Sequence, residues 1–252
     1  MQDTNKLRII SGIYKNRAIK MNKKSSNSGK KIVENDSLKN LLKIYKNHEA
    51  EELKDIVIDR EKSIEKNNSR VRPTLIRSRR MIFDTLQSLE KGHSQSFLDV
   101  FAGSGIMGME ALSRGSQKVV FFDINKKNIK TIEENLKEMP KIPGAFSIIG
   151  VNSLLPPEGS PMDVVFLDPP YDKIFIIPKI LKNLIIANWI SEKTTVILEC
   201  SAKNQLSLEW NNQYSFIAID NFGKFILFKD DKISNSIIQF FYYKPQEIPQ
   251  EI

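Results

Sequence analysis

Apolar and polar positions alternate at the start of the chain. Leu7-Arg8-Ile9-Ile10-Ser11-Gly12 and Asn16-Arg17-Ala18-Ile19-Lys20 read as two short strands joined by a glycine-containing turn, a hairpin that carries basic side chains. From Met21 to about Ser69 the pattern gives way to a Lys/Asn/Ser/Glu mixture opening with Asn22-Lys23-Lys24-Ser25-Ser26-Asn27-Ser28-Gly29, the composition of a flexible loop. Within it Leu38, Leu41, Leu42 and Tyr45 recur at helical spacing and predict one short amphipathic helix. The stretch reads as an insertion. Arg70-Val71-Arg72-Pro73-Thr74 then opens a helix, because proline holds the residue before it extended and Thr74 can act as N-cap. Leu75, Ile82, Leu86 and Leu89 supply its apolar stripe.

After Phe97 strands and helices take turns. Strands are predicted at 97–101, 118–122, 146–149, 163–167 and 195–199, with helices over 106–113, 125–139 and 174–187. Two further apolar runs, 214–219 and 224–228, flank Asn221-Phe222-Gly223 as a hairpin. The alternation predicts an α/β fold with a mostly parallel sheet, covered on both faces and closed by an antiparallel C-terminal hairpin. Ligands in such sheets bind at the carboxyl ends of the strands. The expected organisation is a basic hairpin over 1–20, the insertion over 21–69, a catalytic domain over 70–230 and an extension over 231–252. In that extension the run Phe240-Phe241-Tyr242-Tyr243 reads as a capping strand or a disordered tail.

Composition narrows the function classes. A chain of 252 residues with 40% hydrophobic content can bury a real core. No apolar run approaches the roughly 20 residues of a membrane-spanning helix, and the N-terminal stretch has no apolar signal core, so the expectation is a cytoplasmic protein without a membrane partner. Cys200 is the single cysteine, and with only His48 and His93 beside it no zinc cluster or other metal site is expected. Charge is more informative by position than in total. Residues 1–98 carry 22 Lys+Arg against 12 Asp+Glu, or +10, whereas 99–252 carry 16 against 18, or −2. Within the basic part, 1–20 hold +4, 21–69 hold +2, 70–80 hold +5 and 81–98 hold −1. Two short segments therefore concentrate positive charge, and arginine in particular suits phosphate.

The strand at 97–101 runs directly into Ala102-Gly103-Ser104-Gly105-Ile106-Met107-Gly108, glycines spaced to let a strand turn sharply into a helix while the backbone approaches a ligand. Asp123 ends the next strand, 20 residues after Gly103, where a ribose hydroxyl would be held. A nucleoside cofactor follows, carrying either nicotinamide or a methyl sulfonium. The strand at 163–167 ends in Asp168-Pro169-Pro170-Tyr171. Two prolines remove two N–H donors and leave the Asp168 carboxylate and carbonyl oxygens as acceptors. An exocyclic amine on a nucleobase is a poor nucleophile, and Asp168 with the Pro169 carbonyl can hold its N–H bonds and aim its lone pair. Tyr171 offers a face on which a flipped-out base can stack, worth ~1–3 kcal/mol.

These segments, taken in order with Arg72-Pro73-Thr74, Arg77, Arg79 and Glu110-Ala111-Leu112-Ser113-Arg114, resemble the RsmD family of ribosomal RNA methyltransferases. The resemblance implies a Rossmann-like class I methyltransferase fold with a small basic N-terminal hairpin extension. It implies transfer of a methyl group from S-adenosylmethionine to the exocyclic N2 of a guanine in 16S RNA, naked or in an assembling small subunit, by a monomer. Cofactor contacts are implied at Asp99, Phe101, Ala102, Gly103, Ser104, Gly105 and Gly108, at Asp123 and Ile124 beside the ribose, and at Asn152 and Ser153 near the adenine. The amine-binding site is implied at Asp168, Pro169, Pro170 and Tyr171, and RNA contacts at Arg8, Lys15, Arg17, Arg72, Thr74, Arg77, Arg79 and Arg80. The chain departs from the family in the length of 21–69 and in Arg80, where the family commonly has an acid. The competing expectations are a DNA adenine-N6 methyltransferase, a nicotinamide dehydrogenase and a noncatalytic RNA-binding assembly factor.

Overall fold

The computed structural model describes residues 7–21, 73–89, 95–139, 144–202, 209–210 and 215–246. The helix expected around Leu38, and Arg70 and Arg72, lie outside the described residues. Residues 1–21 together with 71–252 form one compact unit. Its elements are β1 (Leu7–Arg8), β2 (Ala18–Ile19), α1 (Pro73–Ser88), β3 (Ser96–Asp99), α2 (Ile106–Ser113), β4 (Lys118–Asp123), α3 (Lys126–Lys137), β5 (Ala145–Gly150), β6 (Val164–Leu167), α4 (Ile177–Ile186), β7 (Thr195–Ser201), β8 (Glu209–Trp210), β9 (Ser215–Ile219), β10 (Gly223–Ile233) and β11 (Ser236–Pro245). A 3-10 turn over Tyr171–Ile176 precedes α4.

Among the described residues, nine strands build one sheet in the order β5-β4-β3-β6-β7-β11-β10-β9-β8. The five from β5 to β7 are parallel and the rest antiparallel. Chain direction across the sheet reverses between β3 and β6, since β4 and β5 lie on one side of β3 while β6 and β7 lie on the other. That makes the gap between their carboxyl ends the topological switch point. The strands that flank it, Phe97–Leu98 and Val164–Leu167, are apolar and buried because helices cover both sheet faces.

Three expectations change. First, α1 starts at Pro73, whose fixed φ suits the first helical position, so Thr74 sits inside the first turn and not at the cap. Its core-facing residues are Ile82, Phe83 and Leu86, whereas Leu89 lies past the helix end and is exposed. Second, the boundary at 230 falls inside β10, and residues 236–245 are no appendage. β11 inserts between β7 and β10 and pairs with both. A strand flanked on both edges and covered on both faces buries consecutive residues, which is why Ile237, Ile238, Gln239, Phe240 and Phe241 run together without alternation. Third, the N-terminal hairpin is no separate extension. Leu7, Ile9 and Ile19 belong to the same core as Phe83, Phe97, Met107 and Leu112.

Polar contacts fix that docking. Glu110, fully buried in α2, accepts the Ile10 N–H at 2.6 Å and the Ser11 N–H at 2.9 Å. Arg114 donates to the same carboxylate at 2.8 Å, and Arg79 Nε lies 3.7 Å from it. The Arg79 guanidinium also donates to the Arg8 carbonyl. Gly12, at φ +78°, packs against the end of α2 so closely that a Cβ would lie 1.7 Å from the Ser113 carbonyl oxygen. Asn135 of α3 closes the far end by bonding the Lys20 N–H and C=O.

Candidate active site

The glycine loop leaves β3 through Asp99 and enters α2 at Gly105. Gly103 and Gly105 have φ of +54° and +76°, a region glycine adopts without penalty. Gly105 is also required by space, since a Cβ would sit 2.9 Å from Ile132 and 3.0 Å from Met109. Gly105 offers α2 no side-chain cap. Asp99 supplies one from the preceding strand by accepting the Gly108 N–H at 3.2 Å. Asp99 is buried, and that burial pushes its carboxyl up to about 7, with the Gly108 bond opposing the rise and Asp123 adding to it. Gly108 itself serves packing: a Cβ would meet the Phe121 ring at 2.2 Å. Its glycine brings α2 onto β4.

Asp123, at the end of β4, accepts the Gly103 N–H at 2.8 Å, the Asn125 N–H at 2.7 Å and the Asn128 side-chain amide at 3.0 Å. The acid thus ties the glycine loop to the β4–α3 turn, beside half-buried Ile124. Asn152 follows β5 and turns the chain by accepting the Leu154 N–H at 3.1 Å. Ser153 is fully buried and donates to the Val100 carbonyl at 2.8 Å, so its hydroxyl is a strut between two loops of the crevice and not an adenine contact. Phe101 and Ala102 line the same turn, held by Ala102 N–H to the Phe122 carbonyl at 3.0 Å.

Asp168 is the first residue past β6. The register pairs Asp99 with Phe166 and Leu167 with Leu198, which sets Asp168 at the switch point between the end of β3 and Glu199 of β7. Its carboxyl is raised well above the usual range, first by burial and then by the charges of Glu199 and Asp99. Glu199, 6% exposed, is raised by burial, partly offset by the Ser236 hydroxyl. Lys173 N–H donates to the Pro170 carbonyl at 2.8 Å, so Pro169 presents the motif's other carbonyl. Tyr171 opens the 3-10 turn, and its side chain lies outside the described residues, as does that of Thr74.

The basic residues divide into two groups. Arg8, Lys15, Arg77 and Arg80 are exposed. Arg77 and Arg80 line an open groove with Met81, Asp84, Thr85, Ser88 and Lys229. Arg17 lies over the Tyr14 ring at 5.5 Å and 3.9 Å from Glu138. Arg79 is 1% exposed. It faces Glu110 and not solvent, which corrects its expected role in RNA contact.

The donor set fits S-adenosylmethionine and disfavours a dinucleotide. A pyrophosphate needs helix N–H groups and a positive surround. Here the Gly108 N–H is taken by Asp99, and Asp99, Asp123, Asp168 and Glu199 make the crevice acidic. A bound ammonium or sulfonium would favour the ionised form of those carboxyls, whereas a diphosphate would oppose it. Sequence reasoning had not singled out Glu199 or given Glu110 a role. Each is the only acid in an apolar element, Thr195–Ser201 and Ile106–Ser113 respectively, and that isolation was the available signal.

Residues 58–227 match a family model described as Conserved hypothetical protein 95. Ribosomal RNA small subunit methyltransferase D of Buchnera aphidicola subsp. Acyrthosiphon pisum (strain APS) is 31% identical over 149 residues, 58% of this chain and 75% of that protein. Its namesake from Haemophilus influenzae is 32% identical over 137 residues, 53% of this chain and 69% of that one. A solved structure of the Escherichia coli protein yhhF superposes with a TM-score of 0.62 at 18% identity, covering 96% of this chain and 99% of that one. The fold is that of class I methyltransferases.

Proposed function

The chain belongs to the RsmD family of methyltransferases, and we propose that it transfers a methyl group from S-adenosylmethionine to the exocyclic N2 of a guanine in 16S ribosomal RNA. The finer proposal, carried over from the family resemblance, is that this guanine is position 966. One observation carries the reading: the glycine loop and Asp168-Pro169-Pro170-Tyr171 end neighbouring strands at the switch point. A nucleoside cofactor and an amine are thereby held side by side.

Phe101 to Gly105, with Asp123, Ile124 and Asn152, would hold the cofactor. Bound there, it supplies a methyl group on a positively charged sulfur that keeps the electron pair of the broken bond. Asp168 and the Pro169 carbonyl accept the two amine N–H bonds, which turns the nitrogen lone pair toward the crevice. The proton that leaves the methylated nitrogen passes to the Asp168 carboxylate. Alignment of two bound groups supplies most of the acceleration, because the methyl is already reactive. No step calls for a metal.

Arg8, Lys15, Arg77 and Arg80, exposed on the hairpin and α1, are proposed to take RNA phosphates, and a splayed loop presents the base. The test is incubation with S-adenosylmethionine carrying a labelled methyl group and either 16S RNA or duplex DNA. Label is expected in the RNA. Label confined to duplex DNA would instead support adenine-N6 methylation.

A further inference from the structure

Glu199 has no part in the chemistry described so far, yet it is nearly buried on the strand next to Asp168. The parallel register ends with Leu167 opposite Leu198, so Asp168, the first residue past β6, follows on beside Glu199 of β7. Neighbouring positions on a parallel pair face the same side of the sheet. On its far side β11 sets Ile238 opposite Glu199, and the Ser236 hydroxyl of β11 offsets part of the rise that burial gives its carboxyl.

We propose that Glu199 is a positioning residue for Asp168, holding a shared proton with it so that Asp168 becomes a full acceptor for the amine only when the pair has lost that proton. The inference rests on the reading of Asp168 as the amine acceptor. The other titratable groups around the pair do not substitute for Glu199. Asp99 from β3 bears on Asp168 and is itself committed to Gly108. Cys200 on β7 is pushed up to about 11 by burial and by both acids, and stays a neutral thiol. Arg79 of α1 faces Glu110, and Lys173 from the 3-10 turn has its ammonium 6.0 Å from the Phe175 ring centroid. Two acids that follow paired positions on adjacent strands and raise one another cannot both ionise readily, so the second proton leaves only at raised pH. The proton freed from the methylated amine then enters a pair that has a place for it.

The test compares the pH dependence of kcat/KM for the wild type, Glu199→Gln and Asp168→Asn on 16S RNA, with cofactor affinity measured on each protein as the check of folding. Glu199→Gln keeps the shape and a side-chain oxygen but removes the charge. Its acidic limb is expected to move down by about one pH unit, a roughly tenfold relative gain at the acid end, with the plateau within a few-fold of wild type. Limbs that coincide, with Asp168→Asn inactive, would overturn the role of Glu199 and leave Asp168 as acceptor. A fully active Asp168→Asn would overturn the reading of Asp168 instead. Should Glu199→Gln fail to fold, carboxyl-carbon NMR of the wild type decides. A two-step titration of the Asp168 signal is expected, and a single step at ordinary carboxylate pH contradicts the proposal.

Discussion

Glu110 and Glu199 are both almost completely buried, and their surroundings differ in kind. Glu110 meets two backbone N–H groups and two guanidinium groups, so its charge is satisfied and it joins the N-terminal hairpin to α2. Glu199 lies beside another carboxyl, with only the Ser236 hydroxyl easing its burial. One acid holds the chain together, and the other keeps a neighbour in an unfavourable state that chemistry can use. Burial of an acid therefore says nothing of its role until its partners are known.

The comparison breaks most visibly at Glu110. Glu110→Ala leaves Arg79 and Arg114 without their carboxylate and strips two hairpin amides of their acceptor. Such breakage of a buried pair is expected to lower stability by about 3–5 kcal/mol, read by urea denaturation. Asp168→Ala should do the reverse. Methyl transfer is expected to fall at least ~100-fold while cofactor affinity stays within a few-fold, because only alignment of the amine is lost. Removing an acid that folding holds in a costly environment should raise stability by about 1 kcal/mol, so activity and stability move in opposite directions.

Asp99 gives a pH signature. Its carboxyl titrates near 7 in the folded chain and near 3.8 when unfolded. A raised acid contributes stability that is fully present below the unfolded value and is lost as pH rises through the folded one. The unfolding free energy should therefore fall between about pH 4 and pH 7. Asp99→Asn, which retains an acceptor for the Gly108 N–H, is expected to flatten that fall in denaturation measured across the range. The smallest effect belongs to the surface. Arg80→Ala should weaken RNA binding up to ~10-fold and reduce its salt slope by about one, read by filter binding at several salt concentrations. Arg79→Ala should instead destabilise the fold, since that side chain is buried.

Much of this architecture was legible in the sequence because each parallel strand is a short apolar run bounded by a helix. The α2 helix matches its predicted span, and the β9–β10 hairpin turns at Gly223 with φ +120°, the glycine the sequence marked. What escaped were features fixed by distant partners. β11 is apolar on successive positions because it lies between β7 and β10, and nothing local distinguishes that from a tail. Arg79 sits between exposed Arg77 and Arg80 in composition, and only the helix's rotation against the core sends it inward. The motif residues Gly103, Asp123 and Asp168 were readable because a strand-to-helix turn and a strand end dictate their types locally. Glu199 was not, since its meaning depends on the register between two strands separated by a helix.

The chemistry assigned to the switch point carries the functional reading. It is tested most directly by treating 16S RNA from cells lacking this protein with the protein and S-adenosylmethionine, then mapping the modified base by mass spectrometry. One added methyl on the N2 of a guanine is expected. A methyl on an adenine, or RNA that is bound but never modified, would contradict it.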